Sequence, residues 1–239
     1  CEGTAMRRNG VSIITCTKKP QFIHNVFKNY RNQIWEKKEL IIVLNEDSMN
    51  LSQWLKQSKS FKNVSIFRLP GKVSLGRCLN FAIQKAKYGF IAKFDDDDFY
   101  APYYLKEAIR ALIHSKAAVV GKRTHLAYIG GKKLLIQRFC GRENKFTQLI
   151  AGGTIVCRKN VVDRIKFSNT SLGEDVQFLR DCRTRGLRIY STSKYNYVYV
   201  RRPNLKNHTL KVSDQYLLSR KHKIVARTNQ FQQLASRMI

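Results

Sequence analysis

The chain is expected to fold as an α/β protein, a mostly parallel sheet doubly wound with helices on both faces. Three observations predict this. Short β-rich runs alternate with helical patterns up to about residue 115, the order that builds parallel sheets through right-handed crossovers. One run, Glu39-Leu40-Ile41-Ile42-Val43-Leu44, is continuously apolar after its first residue, as suits a strand covered on both sides. Another, Tyr88 to Phe94, runs directly into Asp95-Asp96-Asp97-Asp98. That puts charge at a strand's carboxyl end, where such sheets gather their ligands.

The elements follow in order. Val11 to Cys16 is a β-rich opening strand. Pro20 is placed to start a helix running to about Gln33. After the Glu39–Leu44 strand come a helix over about Met49 to Ser58 and a strand from Val64 to Leu69. Pro70-Gly71 makes a turn, and Ser74 can N-cap a helix reaching about Lys87. The strand that ends in the aspartates is followed by a helix beginning near Pro102. The pattern then changes: Leu126–Ile129, Gly130-Gly131 and Leu134–Ile136 read as a hairpin with a glycine turn. Gly152-Gly153 precede a strand over Thr154–Cys157, and Glu174 to Arg185 reads as a helix stopped by Gly186. Leu187–Ser191 is a further strand, and the segment beyond Lys211 is helical by pattern and strongly cationic. The expected organisation is one domain over 10–210 with a cationic helical extension over 211–239.

Composition bounds the function. The 239 residues carry 45 Lys and Arg against 16 Asp and Glu, a net charge of +29. Such a field recruits polyanions, which include nucleic acid, anionic headgroups, nucleotide phosphates and acidic polymers. The six cysteines show no CxxC and no zinc spacing, so a reduced cytosolic protein without a disulfide framework is expected. No apolar run approaches the roughly 18 residues that span a bilayer. His24, His114, His125 and His222 stand isolated and read as structural.

In an acid-poor chain, four adjacent aspartates are a strong signal. Carboxylates this close repel unless a cation shares the site. Hard divalent ions such as Mg²⁺ or Mn²⁺ favour carboxylate oxygens and also bind diphosphates. The strand and its acidic loop therefore read as a metal–diphosphate site; the plainer reading is a solvated turn capping the next helix.

The order of the opening strand, the Glu39–Leu44 strand, Asn80 in a helix, Asp95–Asp98 with Pro102, and Gly173-Glu174-Asp175 resembles the family 2 glycosyltransferases of the GT-A fold. The resemblance covers about residues 10 to 202, and transferases of bacterial spore-coat and cell-wall polysaccharides look closest. It implies a donor that is a nucleotide-diphosphate sugar, a hydroxyl acceptor, and Mn²⁺ or Mg²⁺ as cofactor. In such enzymes the Asp-x-Asp loop holds the ion on the donor diphosphate. Asp97 then takes the metal contact, with Asp95 toward the ribose or a metal-bound water and Asp96 as a substitute. Asp98 matches the following acid of the family.

Asp175 matches the catalytic base, which takes the acceptor proton during a single inverting displacement, with Glu174 as the neighbour that tunes it. The reading of Glu174-Asp175 from the residues alone is acid enrichment in a helix's first turn. The nucleotide end departs from the family. Thr15-Cys16-Thr17-Lys18 stands where Pro-Thr-Tyr-Asn is usual, and Leu44-Asn45, followed by Glu46 and Asp47, replaces a paired Asp-Asp. Asn45 can still pair with a uracil or a thymine; a UDP-sugar is the donor by default, not by deduction. Lys72 and Arg77 are phosphate or base contacts or, on the plainer reading, solvated surface. Gly71–Ser74 lacks the spacing of a phosphate-binding Walker loop. Gly153 with Gly152 allows close approach of sugar or acceptor, or forms a tight bend. Arg202 and His208 lie in a segment that in related enzymes closes over the diphosphate, with His208 as a further metal ligand or, on the plainer reading, a surface histidine beside a basic turn.

The leading expectation is thus a metal-dependent glycosyltransferase of a surface-polymer pathway. It would be cytoplasmic, with a basic tail suited to an anionic or lipid-linked acceptor or to the inner membrane face. Two other classes compete. A nucleic-acid-binding protein is motivated by charge alone, and no recognition module is visible in the sequence. A sugar-phosphate nucleotidyltransferase needs a glycine-rich first loop that is absent here. Oligomeric state is left open by the sequence.

Overall fold

The computed structural model describes residues 9–203, 214–219 and 222–238. Its central strand is the first one, β1 (Val11–Thr17), followed by the helix α1 (Ile23–Asn32) and strand β2 (Lys38–Leu44). Then come α2 (Leu51–Ser58), β3 (Val64–Arg68), α3 (Leu75–Lys85) and β4 (Phe90–Lys93). β1 pairs in parallel with β2 on one side and β4 on the other, and β3 extends the same parallel half from β2.

Beyond β4 lie the two-residue β5 (Phe99–Tyr100), α4 (Tyr104–Ser115), β6 (Val119–Gly121), β7 (His125–Ile129), β8 (Leu134–Arg138), β9 (Lys145–Thr147) and β10 (Val156–Arg158). The chain continues through α5 (Lys159–Arg164), α6 (Glu174–Thr184), β11 (Ile189–Ser191) and β12 (Tyr197–Arg201). The main sheet has eight strands in the order β3-β2-β1-β4-β10-β6-β11-β9. β10 runs antiparallel to both its neighbours, and β9 is antiparallel to β11.

The period of two along β1 and β2 sorts their side chains between two cores. Ile13, Leu40 and Ile42 face Phe27, Trp54, Leu105 and Ile109 of α1, α2 and α4. Ile14, Ile41 and Val43 face Leu79, Ile83, Phe178 and Leu179 of α3 and α6. Both faces are therefore dry, which is why the Glu39–Leu44 run carries no polar alternation. Each such fully buried aliphatic side chain contributes about 1.5–3 kcal/mol.

The expected glycine hairpin is present as β7 and β8, joined through Gly130–Lys132. It is not isolated: it sits inside a second sheet ordered β13-β8-β7-β12-β5, where β13 is His222–Arg227. The C-terminal segment thus differs from the helical expectation. Two short helices, α7 (Asp214–Ser219) and α8 (Phe231–Ala235), flank β13, which pairs antiparallel with β8. The run Ile224-Val225 is β-branched, and the edge backbone of β8 offers it hydrogen bonds that outweigh its helical pattern. α8 closes over the sheet, with Phe231 stacked 4.3 Å from Tyr128. None of the described cysteines is in a disulfide, and among the described residues no helix is long and apolar enough to cross a membrane.

Candidate active site

β1 and β4 end side by side, so the loops that follow them meet. Each aspartate of the 95–98 loop has a different surrounding. Asp98 is 2% exposed; its carboxylate accepts hydrogen bonds from Tyr197 Oη at 2.6 Å and Val200 N at 3.0 Å. Burial first, then Asp97 and Asp95, raise its pKa well above the carboxylate range. Its place is structural: it ties the loop to β12. The loop backbone hangs from two asparagines one turn apart on α1. Asn25 Nδ2 donates to the carbonyls of Asp96 and Asp98, and Asn29 Nδ2 also donates to Asp98.

Asp96 accepts from the Thr17 hydroxyl and lies 3.5 Å from Lys19 Nζ. Burial and then Asp97 push its pKa up to about 7, against the pull of Lys19. Asp97 pairs with Lys19 Nζ at 2.8 Å, and its carbonyl accepts from Arg202 Nη1 at 2.5 Å. Arg202 also stacks 4.4 Å over Phe22. Arg202 is therefore at the site, whereas His208 lies outside the described residues.

Asp95 is held by two groups. Its carboxylate pairs with Lys93 Nζ at 2.5 Å. Its backbone N–H donates to Tyr100 Oη at 2.8 Å, and that hydroxyl donates in turn to Gly153 O at 2.5 Å. Tyr104 makes the parallel bond to Thr154 O at 2.9 Å. The two tyrosines thereby fix the Gly152–Thr154 turn against the acidic loop.

That turn joins the two halves of the site. A Cβ on Gly153 would stand 2.6 Å from Asp95 Oδ2, and one on Gly152 would stand 1.8 Å from Asp175 Oδ2. The carboxylates of 95 and 175 therefore press on adjacent glycines. Asp175 sits in the first turn of α6, whose N-cap Gly173 has φ +79°. Its Oδ1 accepts from Val176 N at 2.7 Å. Glu174 beside it is 5% exposed. Burial raises its pKa, Lys93 pulls it down, and Asp175 adds to the rise.

Lys93 was not singled out from the sequence, although a lone lysine inside Phe90–Phe94 was the available signal. Burial pulls its pKa down; the carboxylates of Asp95, Asp175 and Glu174 more than offset that and hold it charged. Lys19, Tyr100, Asn25 and Asn29 were missed as well, because each acts through tertiary contacts that spacing does not show.

The residues expected to meet the nucleotide lie along β1 and in the loops on its β2 side. Thr15 and Thr17 are buried and Cys16 is half-buried, its thiol pushed up by burial first and then by Cys78. Asn45 donates from Nδ2 to Pro70 O at 2.7 Å, so one of its two amide hydrogens closes the loop. Asp47 Oδ2 accepts from Gly71 N at 3.2 Å, and Lys18 Nζ donates to Gly71 O at 2.7 Å. Lys72 and Arg77 are exposed.

α3 links this loop to the segment that carries Asp175. Ser74 caps it, accepting from Arg77 N at 3.3 Å, and donates to Asn169 Oδ1 at 2.7 Å. Leu75 N donates to Ser171 Oγ and Gly76 N to Thr170 O. Asn80 pairs with the Phe167 backbone in both directions, at 2.8 and 3.0 Å.

Among the described residues no group of three or more His, Cys, Asp or Glu is spaced to cage a metal. A divalent ion on a nucleotide diphosphate needs less: one or two carboxylates, with phosphate oxygens and water completing the shell. Asp97, whose side chain is 13% exposed, and Asp95, at 38%, supply hard oxygen donors of that kind. The Lys19 ammonium on Asp97 marks the place as one that accepts a cation. The residues fit the ion.

A doubly wound sheet with a carboxylate loop at the carboxyl ends of its central strands, faced across a diglycine turn by a helix with two acids in its first turn, defines the GT-A class of fold. Residues 11–160 match the family described as glycosyl transferase family 2, and the chain belongs to that family. It is 28% identical over 140 residues to the O-antigen biosynthesis glycosyltransferase WbnJ of Escherichia coli, a match covering 55% of this chain and 54% of that protein. The chain thus spans about half the length of this curated relative. S. aureus TarS 1–349 in complex with UDP-GlcNAc superposes with a TM-score of 0.63 at 18% identity, covering 85% of this chain and 62% of that one. The mannosyltransferase PcManGT of Pyrobaculum calidifontis, in complex with GDP-Man and Mn²⁺, gives a TM-score of 0.61 at 14% identity, covering 81% and 56%. At these identities the two structures speak to the fold.

Proposed function

We propose that the chain transfers a sugar from a nucleotide-diphosphate donor to a hydroxyl acceptor by a single inverting displacement, in the building of a surface polysaccharide. The observation that carries this reading is the placement of Asp95 and Asp175 against adjacent glycines, which makes one cleft of the acidic loop and the α6 terminus. Asp97, with Asp95 beside it, would hold Mn²⁺ or Mg²⁺. When bound, that ion offsets the negative charge that grows on the departing nucleoside diphosphate. Thr15, Cys16, Thr17, Asn45, Asp47, Lys72 and Arg77 surround the nucleoside end, and Arg202 approaches the acidic loop from β12.

The remaining steps belong to the chain's own groups. Asp175, fixed by the Val176 amide, receives the proton of the attacking hydroxyl at its Oδ2. Gly152 lacks the side chain that would fill the approach to that oxygen, and Gly153 does the same beside Asp95. Lys93 stays protonated and fixes Asp95. The basic surface suits an anionic or lipid-linked acceptor at an inner membrane face.

The test is release of nucleoside diphosphate from UDP- and GDP-sugars with Mn²⁺, in the wild type and in Asp97→Ala and Asp175→Ala. Both variants should lose turnover while melting within a few degrees of the wild type. Full activity in either removes the role given to that residue.

A further inference from the structure

Two lysines neutralise the acidic loop, and they differ in how firmly they are placed. Lys93 lies within β4, its side chain only 6% exposed; its ammonium is paired with Asp95 and also feels the charges of Asp175 and Glu174. It cannot leave without leaving buried charge behind. Lys19 follows the end of β1, on the loop that enters α1, and its side chain is 19% exposed. Its Nζ reaches Asp97 Oδ2 at 2.8 Å and Asp96 Oδ1 at 3.5 Å, over the edge of the site, and lies 5.5 Å from the Phe22 ring. A lysine side chain has four rotatable bonds, so this ammonium can leave the carboxylates without moving the backbone.

Asp97 is also the carboxylate to which the proposed function assigns the divalent ion. An ammonium 2.8 Å from that carboxylate competes with a cation of higher charge for the same oxygens and repels it at close range. The ammonium, once displaced, is left within reach of whatever anion arrives with the ion.

We propose that Lys19 is the resident cation of the Asp96–Asp97 pair, displaced only when a divalent ion and a diphosphate arrive together. It would then pass from the carboxylates to the diphosphate. Lys19 is thus a positioning residue that keeps affinity for the bare ion low and makes ion and nucleotide bind as a unit. The inference rests on the glycosyltransferase reading for its diphosphate and goes beyond it in assigning the order of cation exchange.

Mn²⁺ binding, read by the electron paramagnetic resonance signal of the free ion, tests this without any turnover. The titrations are made with Mn²⁺ alone and with UDP present, on the wild type, Lys19→Met, Lys18→Met and Asp97→Asn. In the wild type UDP should tighten Mn²⁺ binding at least about fivefold, within the usual range of coupling between sites. Lys19→Met should bind Mn²⁺ alone at least about fivefold more tightly than the wild type, with the tightening by UDP reduced by a similar factor. Lys18→Met removes the same charge from the neighbouring residue and should shift Mn²⁺ affinity less than about twofold, as expected of a screened surface charge.

Equal Mn²⁺ affinities in Lys19→Met and the wild type, with binding lost in Asp97→Asn, would overturn the proposal and leave the metal assignment standing. Equal tightening in Lys18→Met and Lys19→Met would also overturn it, since the general field would then be the cause. Wild-type protein that binds no Mn²⁺ even with UDP would remove the metal reading, and the proposal with it.

Discussion

Gly152→Ala is expected to separate catalysis from folding. The new Cβ would stand 1.8 Å from Asp175 Oδ2 and 2.7 Å from its Cγ. Ordinary contact begins near 3.4 Å, so the carboxylate must retreat by about 1.6 Å (3.4 − 1.8) or rotate away from the Val176 amide. The atom that yields is the far end of a half-exposed side chain, so the fold should survive with little loss. A misplacement of about 1 Å in a reacting group costs on the order of 100-fold in rate, and a fall of at least that size in kcat/KM for nucleoside diphosphate release is expected. Gly76→Ala is the contrast, because its Cβ would meet the backbone oxygen of Ser168 at 1.8 Å. That strain has no flexible side chain to absorb it, and the loss should appear first as a lowered melting temperature. Thermal melts beside steady-state kinetics check both. A stable Gly152→Ala protein with wild-type kcat/KM would refute the placement of Asp175 at the reacting oxygen.

Three further outcomes are expected. Lys93→Met should destabilise the protein by about 2–3 kcal/mol in denaturant titrations, below the 3–5 of a fully buried pair, because the Asp95 side chain stays 38% exposed. His125 is 5% exposed; burial first, then Arg138, depress its pKa to about 3. Below about pH 6.5 the unfolded chain therefore binds the proton that the folded chain refuses, and stability falls as pH drops from there toward 3. A His125→Gln variant should lack this part of the slope, which reaches at most about 1.4 kcal/mol per pH unit; parallel curves for the two proteins would refute it. Asn80→Ala leaves the Phe167 backbone amide and carbonyl without their partners and should cost about 1–3 kcal/mol, with a kcat reduced more than KM if the loop leading to Asp175 loosens.

Much of the parallel half of the fold could be read from residue pattern, because there local preference and burial agree. The unbroken aliphatic run of β2, Ser74 as a cap and Gly186 after α6 each state their geometry locally. The strand β13 could not be read that way: its pairing depends on a β8 edge far away in sequence, and short apolar runs suit either helix or strand. The candidate site divides likewise. Four adjacent aspartates stand out in any reading, but their inequality does not. Asp98 is an anchor because Tyr197, 99 residues on, donates to it, and Asp95 depends on a lysine two residues earlier that faces the same cleft. The diglycine turn was visible; that its two members touch different carboxylates was settled only by the crossing of β10 against β4.

Helix α3 has a consequence for the order in which ligands act. Its head is tied to the Pro70–Ser74 loop on the nucleotide side, and its flank is stitched to residues 167–171, which lead into α6. A rod fastened at both places passes a tilt from one to the other instead of damping it. Occupancy at the nucleoside end would therefore adjust the pitch of the segment that carries Asp175, the base under the proposed function, before any acceptor arrives. Compulsory-order kinetics, donor ahead of acceptor, would be the natural behaviour of such a scaffold.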